Sequence, residues 1–271
     1  MREPMVTRAQ LVSHRFRGFS SHENTIAGLN AALDFGVDQV EFDIRVTKCG
    51  TPLIYHDEAA KTKGGKLRHI CDVMAESRAA LGGAFAHMPT AEALFEAAAA
   101  HPKKAKLLID MKDAGFEDML IALAKANRLT DRIIWVSWLP ETLYAVRDLL
   151  PDAELTLSHW CQSPNAGVRK LHKVFEAKGG NIPRPPRRLV VGERSGWFVD
   201  GPLSGEMRDL VQNVCVPATM VTRNLVKNYQ ADGIKVSAFS YVTRDGLDAA
   251  EAELGLDDYF IDAKVVFDSF T

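Results

Sequence analysis

Short apolar runs alternate along the chain with longer stretches in which apolar residues recur every three to four positions. The short runs are typical of buried strands, and the longer stretches are typical of helices with one buried face. The strand candidates are 9–14, 37–47, 105–112, 131–138, 153–159, 215–218, 234–241 and 258–262. The helix candidates are 25–36, 89–101, 116–127, 140–150, 205–214, 222–233 and 244–255.

This alternation predicts a parallel sheet, because helices must cross over between strands that run in the same direction. Eight such units in about 250 residues favour a closed (β/α)8 TIM barrel. We therefore predict a single barrel domain over 1–271. An open doubly wound sheet is the alternative, although no GxGxxG or P-loop pattern follows the first strand candidate.

The alternation breaks at about 161–202, where the sequence contains "NIPRPPRR" and basic residues outnumber acidic ones. We predict a long irregular insertion in the barrel at this position. One interpretation is a solvated surface excursion. The other is a lid over an anionic substrate, since long loops in compact domains are often functional.

Composition narrows the classes of function. The 271 residues carry a formal net charge of -2, which gives no indication of nucleic-acid binding. No stretch approaches the ~20 apolar residues of a membrane span, so we expect no stable membrane association. The four cysteines are scattered without metal-like spacing, as in a reducing compartment, and we predict a cytoplasmic protein. The oligomeric state is left open.

Two carboxylates share one face of the strand candidate "VDQVEFDIRVT". Side chains alternate along a strand, so Glu41 and Asp43 point to the side opposite Phe42, ~7 Å apart along the chain. Inside a barrel they would repel each other unless a cation lay between them. The alternative is an exposed polar face of an antiparallel hairpin. Because parallel strands are covered on both sides, we favour a metal site.

A third carboxylate, Asp110, ends the apolar run "LLIDMK", with Lys112 on the same face. One interpretation is an ion pair between these two residues. The other is a third oxygen ligand, with a cation that binds phosphate. A few carboxylate ligands with room for water and substrate suit Mg²⁺ or Ca²⁺ rather than zinc.

Two histidines lie near these carboxylates in the predicted fold. His14 ends the first strand candidate, at the end of a barrel where catalytic groups collect, and Arg15 beside it can fork onto a phosphate. A single histidine there is usually structural. However, "TKCGTPLIYH" predicts a hairpin that returns His56 to the same rim. Two imidazoles beside a metal can accept and donate protons, which suits the hydrolysis of a phosphodiester.

The order "HR", "ENT", "EFD", "HDE", "IDMK" resembles the glycerophosphodiester phosphodiesterases, which are (β/α)8 barrels. The resemblance is specific over 13–112 and continues more weakly through "VSW", "SAFSY" and "YFID". It implies hydrolysis of a small-molecule glycerophosphodiester to glycerol 3-phosphate and an alcohol, with one divalent cation, Mg²⁺ or Ca²⁺. The residues implied are the acid/base pair His14 and His56, the metal ligands Glu41, Asp43 and Asp110, and the phosphate-binding Arg15 and Lys112.

Several positions depart from that family's pattern. Phe16 replaces the glycine that usually follows "HR", and we expect it to reshape the loop beside the phosphate. His22 replaces a proline, Cys49 an aspartate and Phe239 a rim tryptophan. Asp110 stands where glutamate is usual, so it must approach the metal more closely or bind through water. Because these changes surround a retained chemical centre, we favour a working enzyme.

Two other functions stay open at this point: hydrolysis of lipid head-group phosphodiesters, and a non-catalytic barrel that binds phosphorylated metabolites. Glu23 and Asn24 are interpreted either as hydrogen-bonding groups of the site or as helix caps. We interpret Trp138 as a core residue and His159 as a structural histidine. Asp262 is given no role.

Overall fold

The computed structural model describes residues 6–158, 203 and 205–270. Its strands are β1 (Leu11–His14), β2 (Gln39–Val46), β3 (Pro52–Ile54), β4 (Ala59–Lys61), β5 (Leu67–His69), β6 (Lys106–Met111), β7 (Ile133–Ser137), β8 (Glu154–Ser158), β9 (Asn213–Pro217), β10 (Lys235–Tyr241) and β11 (Asp258–Ile261). Parallel pairing runs in the order β1, β11, β10, β9, β8, β7, β6, β2, and β2 pairs with β1. The predicted eight-stranded (β/α)8 barrel is therefore confirmed.

Helices surround this ring of strands. They are α1 (Ile26–Asp34), α2 (Arg78–Leu81), α3 (Ala91–Ala100), α4 (Glu117–Ala126), α5 (Pro140–Leu149), α6 (Gly205–Leu210), α7 (Arg223–Ala231), α8 (Arg244–Leu254) and α9 (Lys264–Asp268). Four of them begin after a threonine whose hydroxyl accepts a backbone N–H of the first turn; these threonines are Thr25, Thr90, Thr222 and Thr243. No helix in the described part of the chain is long and apolar enough to cross a bilayer.

Strand β2 shows how the sequence pattern sets the two faces of the barrel wall. Val40, Phe42 and Ile44 belong to the large core between the ring and the helices. The alternate residues Glu41 and Asp43 are buried on the other side, where they meet residues of β1 and β6. The predicted assignment of faces on this strand is confirmed.

Residues 205–217 differ from the prediction of a helix over 205–214. The helix α6 ends at Leu210, and strand β9 begins at Asn213. Val214 and Val216 are completely buried in the core, and such β-branched residues pack well on a strand. Burial in the barrel wall therefore ends the helix earlier than its apolar spacing indicated.

The segment that follows His56 also holds structure that the sequence pattern did not predict. Strands β4 and β5 form an antiparallel hairpin, and a small separate core contains Ala60, Ile70, Val73 and Phe85. The predicted return of the chain after β2 is present, since β3 pairs with β2 antiparallel. The predicted insertion at about 161–202 and His159 lie outside the described residues.

Candidate active site

The predicted site residues meet at the C-terminal end of the barrel. One cavity there is lined by side chains from all eight strands of the ring, β1, β2, β6, β7, β8, β9, β10 and β11, and from the loops that follow strands. Its lining residues are His14, Arg15, Glu41, His56, Asp110, Lys112, Val136, Trp138, Ser158, Cys215, Phe239 and Phe260. One wall is therefore ionic and the other is apolar and aromatic.

Two carboxylates of the ionic wall, Glu41 and Asp110, form a buried cluster with Asp43. One oxygen each from Glu41, Asp43 and Asp110 lies within 4.8 Å of the others. Oxygens bound to a single Ca²⁺ at about 2.4 Å can be separated by at most about 4.8 Å, so this spacing fits one hard cation. In addition, Oδ1 of Asp110 is buried without a hydrogen-bond partner. The cluster can therefore hold a metal ion.

Two buried cations share these carboxylates. Nζ of Lys112 lies 3.0 Å from Asp43 Oδ1 and also contacts Asp110, and Nε of Arg15 lies 3.2 Å from Asp43 Oδ2. Burial and the neighbouring Asp43 raise the pKa of Glu41 well above its usual value. Burial opposes ionisation of Asp43 as well, but Lys112 and Arg15 hold its pKa well below the usual range. Asp43 is thus the carboxylate of this cluster whose ionised form is most strongly stabilised.

His14 is oriented by a carboxylate that sequence reasoning left without a role. Its Nδ1 lies 2.6 Å from Asp262 Oδ1, at the end of β11, the strand that pairs with β1. Since an ionised carboxylate only accepts, His14 Nδ1 carries the proton and Nε2 is left as an acceptor. Asp262 is itself held by Arg17 and Ser240, at 2.7 and 2.6 Å.

His56 has a similar but more exposed arrangement. Its Nδ1 lies 2.7 Å from Oδ1 of Asp57, whose side chain is 64% exposed. Burial lowers the pKa of His56 to about 4, and burial also lowers the pKa of His14. Both imidazoles are therefore neutral at pH 7 before substrate binds, with Nε2 available to accept a proton.

The contact between His14 and Asp262 leads to a prediction. We expect Asp262→Asn to lower kcat by roughly 10- to 1,000-fold with little change in KM, since an amide neither stabilises the imidazolium nor fixes its tautomer as firmly. Asp57→Asn is the matched comparison and should cost much less, because water screens its exposed side chain. Steady-state kinetics on both variants tests this, and equal losses would contradict it.

Phe16 lies in the core and does not line the cavity. Its side chain is fully buried and packs against Phe42, with ring centroids 6.0 Å apart. Its backbone has φ 58°, which favours glycine, and Arg15 before it has φ 56°. This unusual backbone turns Phe16 into the core and leaves the Arg15 side chain beside Asp43.

Three further residues support the carboxylate cluster. Asn24 donates from Nδ2 to Asp43 Oδ2 at 2.9 Å, whereas Thr25 is the helix cap. Trp138 is buried, as expected for a core residue, and its Nε1 also donates to Asp110 Oδ2 at 3.3 Å where the ring lines the cavity. Glu23 pairs with Arg17 at 2.5 Å and with Arg15 at 3.5 Å.

Comparison with known proteins identifies the family. The model of the glycerophosphoryl diester phosphodiesterase family matches residues 12–252, which is most of the chain. The chain belongs to this family. As a family member it is a phosphoric diester hydrolase. The chain is similar to glycerophosphodiester phosphodiesterase 1 of Rattus norvegicus, with 26% identity over 92% of this chain and 76% of the relative.

Solved structures of other phosphodiesterases share the fold. A glycerophosphodiester phosphodiesterase of Agrobacterium tumefaciens superposes with a TM-score of 0.64 at 16% identity, covering 96% of this chain and 99% of that chain. A phosphodiesterase of Oleispira antarctica superposes with a TM-score of 0.63 at 20% identity, covering 96% of each chain. That second structure is a complex with the product sn-glycerol-3-phosphate.

Proposed function

We propose that this phosphodiesterase hydrolyses glycerophosphodiesters to glycerol 3-phosphate and an alcohol, with His14 and His56 as the acid/base pair. One observation carries the proposal: two buried cations, two imidazoles and two carboxylates line a single cavity, and Asp43 completes the buried carboxylate cluster. Membership of the family and the product bound by the Oleispira antarctica structure support the choice of substrate.

In this proposal the side chains of the ionic wall have two roles, phosphate binding and proton transfer. Lys112 and Arg15 bind the anionic phosphoryl oxygens, since both are buried cations beside the carboxylates. One neutral imidazole accepts the proton of the attacking oxygen through Nε2. The other imidazole, protonated when the anionic substrate neutralises the surrounding cations, gives its proton to the leaving alcohol. Asp262 and Asp57 hold the two rings through Nδ1.

Glu41, Asp43 and Asp110 are the proposed ligands of one Mg²⁺ or Ca²⁺ ion. When bound, such an ion neutralises charge that builds up on the phosphoryl oxygens. Although Asp110 is shorter than glutamate, one of its oxygens lies within 4.8 Å of one oxygen of Glu41 and one of Asp43. Asp110 therefore gives no reason to expect a non-catalytic barrel, and neither does Phe16, which is in the core.

The apolar wall is proposed to contact the carbon skeleton of the substrate. Trp138 and Phe239 meet edge to face, with ring centroids 6.3 Å apart. The ring centroid of Phe239 also lies 6.2 Å from that of His14. We further propose a cytoplasmic setting, supported by free Cys49, Cys71 and Cys215 among the described cysteines.

The deciding experiment is product analysis with a small panel of diesters. Glycerophosphocholine, glycerophosphoethanolamine and a lysophospholipid are each incubated with the purified protein and Mg²⁺ or Ca²⁺, with and without chelator. We expect metal-dependent release of glycerol 3-phosphate from the first two. Release of phosphocholine, preference for the lysophospholipid, or no turnover with any divalent ion would each contradict the proposal.

A further inference from the structure

The guanidinium group of Arg45 contacts two separate segments of the active site, one at His56 and one at Lys112. Arg45 lies on β2, two residues after Asp43, and its side chain is 12% exposed. Nε donates to the backbone carbonyl of His56 at 3.0 Å, and Nη1 donates to the carbonyl of Lys112 at 3.3 Å. One planar group therefore contacts the backbone of His56, the proposed proton-transfer residue, and that of Lys112, the proposed phosphate-binding residue.

Asp113 fixes the guanidinium in this position. Its Oδ1 accepts from Arg45 Nη1 at 2.8 Å, and its Oδ2 accepts from the backbone N–H of Val46 at 2.8 Å. The carboxylate thus bridges the arginine and the strand that carries it. Because the side chains of Arg45 and Asp113 are 12% and 29% exposed, water competes only partly for these hydrogen bonds.

The backbone at His56 lies just beyond the last hydrogen bond that joins this segment to β2. Strand β3 ends at Ile54, and Tyr55 makes the last backbone hydrogen bond to β2, donating to the carbonyl of Asp43 at 3.0 Å. His56 follows immediately, and Asp57, its imidazole partner, is largely exposed. The contact from Arg45 therefore reaches His56 at the point where the chain leaves the sheet.

We propose that Arg45, braced by Asp113, is a positioning residue that fixes His56 against the metal-binding carboxylates. This inference rests on the proposed function, in which His56 transfers a proton. Lysine cannot replace it, because an ammonium is a single point donor, whereas the planar fork reaches two carbonyls and a carboxylate at once. The dominant effect is assigned to His56, since its contact is shorter than that to Lys112.

The test compares Arg45→Met and Arg45→Lys with the control Arg132→Met. Arg132 also donates to two backbone carbonyls, those of Ala105 and Ala98, but at the opposite end of the barrel. With glycerophosphocholine as substrate, we expect Arg45→Met to lower kcat by roughly 10- to 100-fold, Arg45→Lys to recover little of this, and Arg132→Met to keep the wild-type kcat. Mg²⁺ affinity, measured by calorimetry, should be unchanged in all three.

A double-mutant cycle separates positioning from general stability. In a His56→Ala background, Arg45→Met should lower the residual kcat by less than about twofold, because the group it positions is already gone. Asp113→Asn is a milder second variant in case Arg45→Met folds poorly, and it should lower kcat in the same direction. An undiminished effect in the His56→Ala background, or a parallel loss of Mg²⁺ affinity, would overturn the proposal.

An NMR measurement tests the positioning of His56 independently of catalysis, and so independently of the proposed function. The imidazole C–H resonances of His56, assigned by their loss in His56→Ala, should shift in Arg45→Met and stay in place in Arg132→Met. If wild-type protein hydrolyses no diester but these resonances shift, the proposed function fails and the contact still positions His56. If wild-type protein is active and Arg45→Met changes neither kcat nor the resonances, the inference alone is wrong.

Discussion

Replacing either His14 or His56 with alanine is expected to lower kcat for glycerophosphodiester hydrolysis by roughly 10²- to 10⁴-fold. Each imidazole has one nitrogen paired with a carboxylate and the other free to exchange a proton. Metal binding should persist, because neither ring belongs to the group of three carboxylates. Steady-state kinetics and Mg²⁺ titration of both variants measure the two effects separately.

His101→Ala is the matched control for this prediction. His101 also pairs with a carboxylate, Asp34, at 3.1 Å, but it lies in the connection between α3 and β6, away from the cavity. Its removal should leave kcat unchanged. If His14→Ala or His56→Ala were as active as His101→Ala, the acid/base assignment would be wrong.

A diester with a nitrophenolate leaving group distinguishes the acid from the base. Such a leaving group departs without protonation, so the variant that lacks the general acid should recover most of its activity on this substrate. The variant that lacks the base should stay slow, because the attacking oxygen still has to lose its proton. Equal recovery by both variants would show that the two imidazoles do not have different roles.

The second large effect concerns substitutions of the carboxylates. Two variants that both lose metal binding should differ in their free energy of unfolding. Asp43→Asn and Glu41→Gln should both abolish Mg²⁺ binding and diester hydrolysis. Asp43→Asn should also lower the free energy of unfolding by about 3–5 kcal/mol, because it leaves the buried Lys112 and Arg15 without their shared partner. Glu41→Gln should leave stability unchanged or higher, because burial and Asp43 already disfavour its charge.

Denaturant unfolding in the presence of chelator measures this difference directly. Chelator removes any contribution of bound metal to the folded state, so the two variants are compared on side-chain electrostatics alone. Wild-type protein should gain stability when Mg²⁺ is added, and neither variant should. Equal destabilisation by Asp43→Asn and Glu41→Gln would mean that the cations do not depend on Asp43 in particular.

The strands that carry the site were predictable because parallel strands in a barrel are covered on both faces. Alternation along β2 then allowed only one arrangement of Glu41 and Asp43 relative to Phe42, and the structure has that arrangement. Asp110 and Lys112 follow from the same argument on β6. The end of the predicted helix at 214 was wrong because burial in the wall, which no local pattern reports, places Asn213 and Val214 on β9.

The partners of the site residues were harder to predict, since they depend on contacts between distant parts of the chain. Asp262 meets His14 across 248 positions. The one available signal was that a closed ring places the last predicted strand beside the first, and that the last predicted strand ends in an aspartate. Trp138 has a buried ring and an N–H that donates to Asp110. The sequence alone does not distinguish such a tryptophan from one that only packs in the core.

Closure of the barrel also orders the events by which this enzyme becomes active. The three carboxylates all lie within the first 110 residues, on neighbouring strands β2 and β6. Asp262 directly follows β11, which is synthesised long after β2 and β6. A nascent chain therefore contains all three proposed metal ligands well before it contains the carboxylate that orients His14, so under the proposed mechanism full turnover requires the docking of β11.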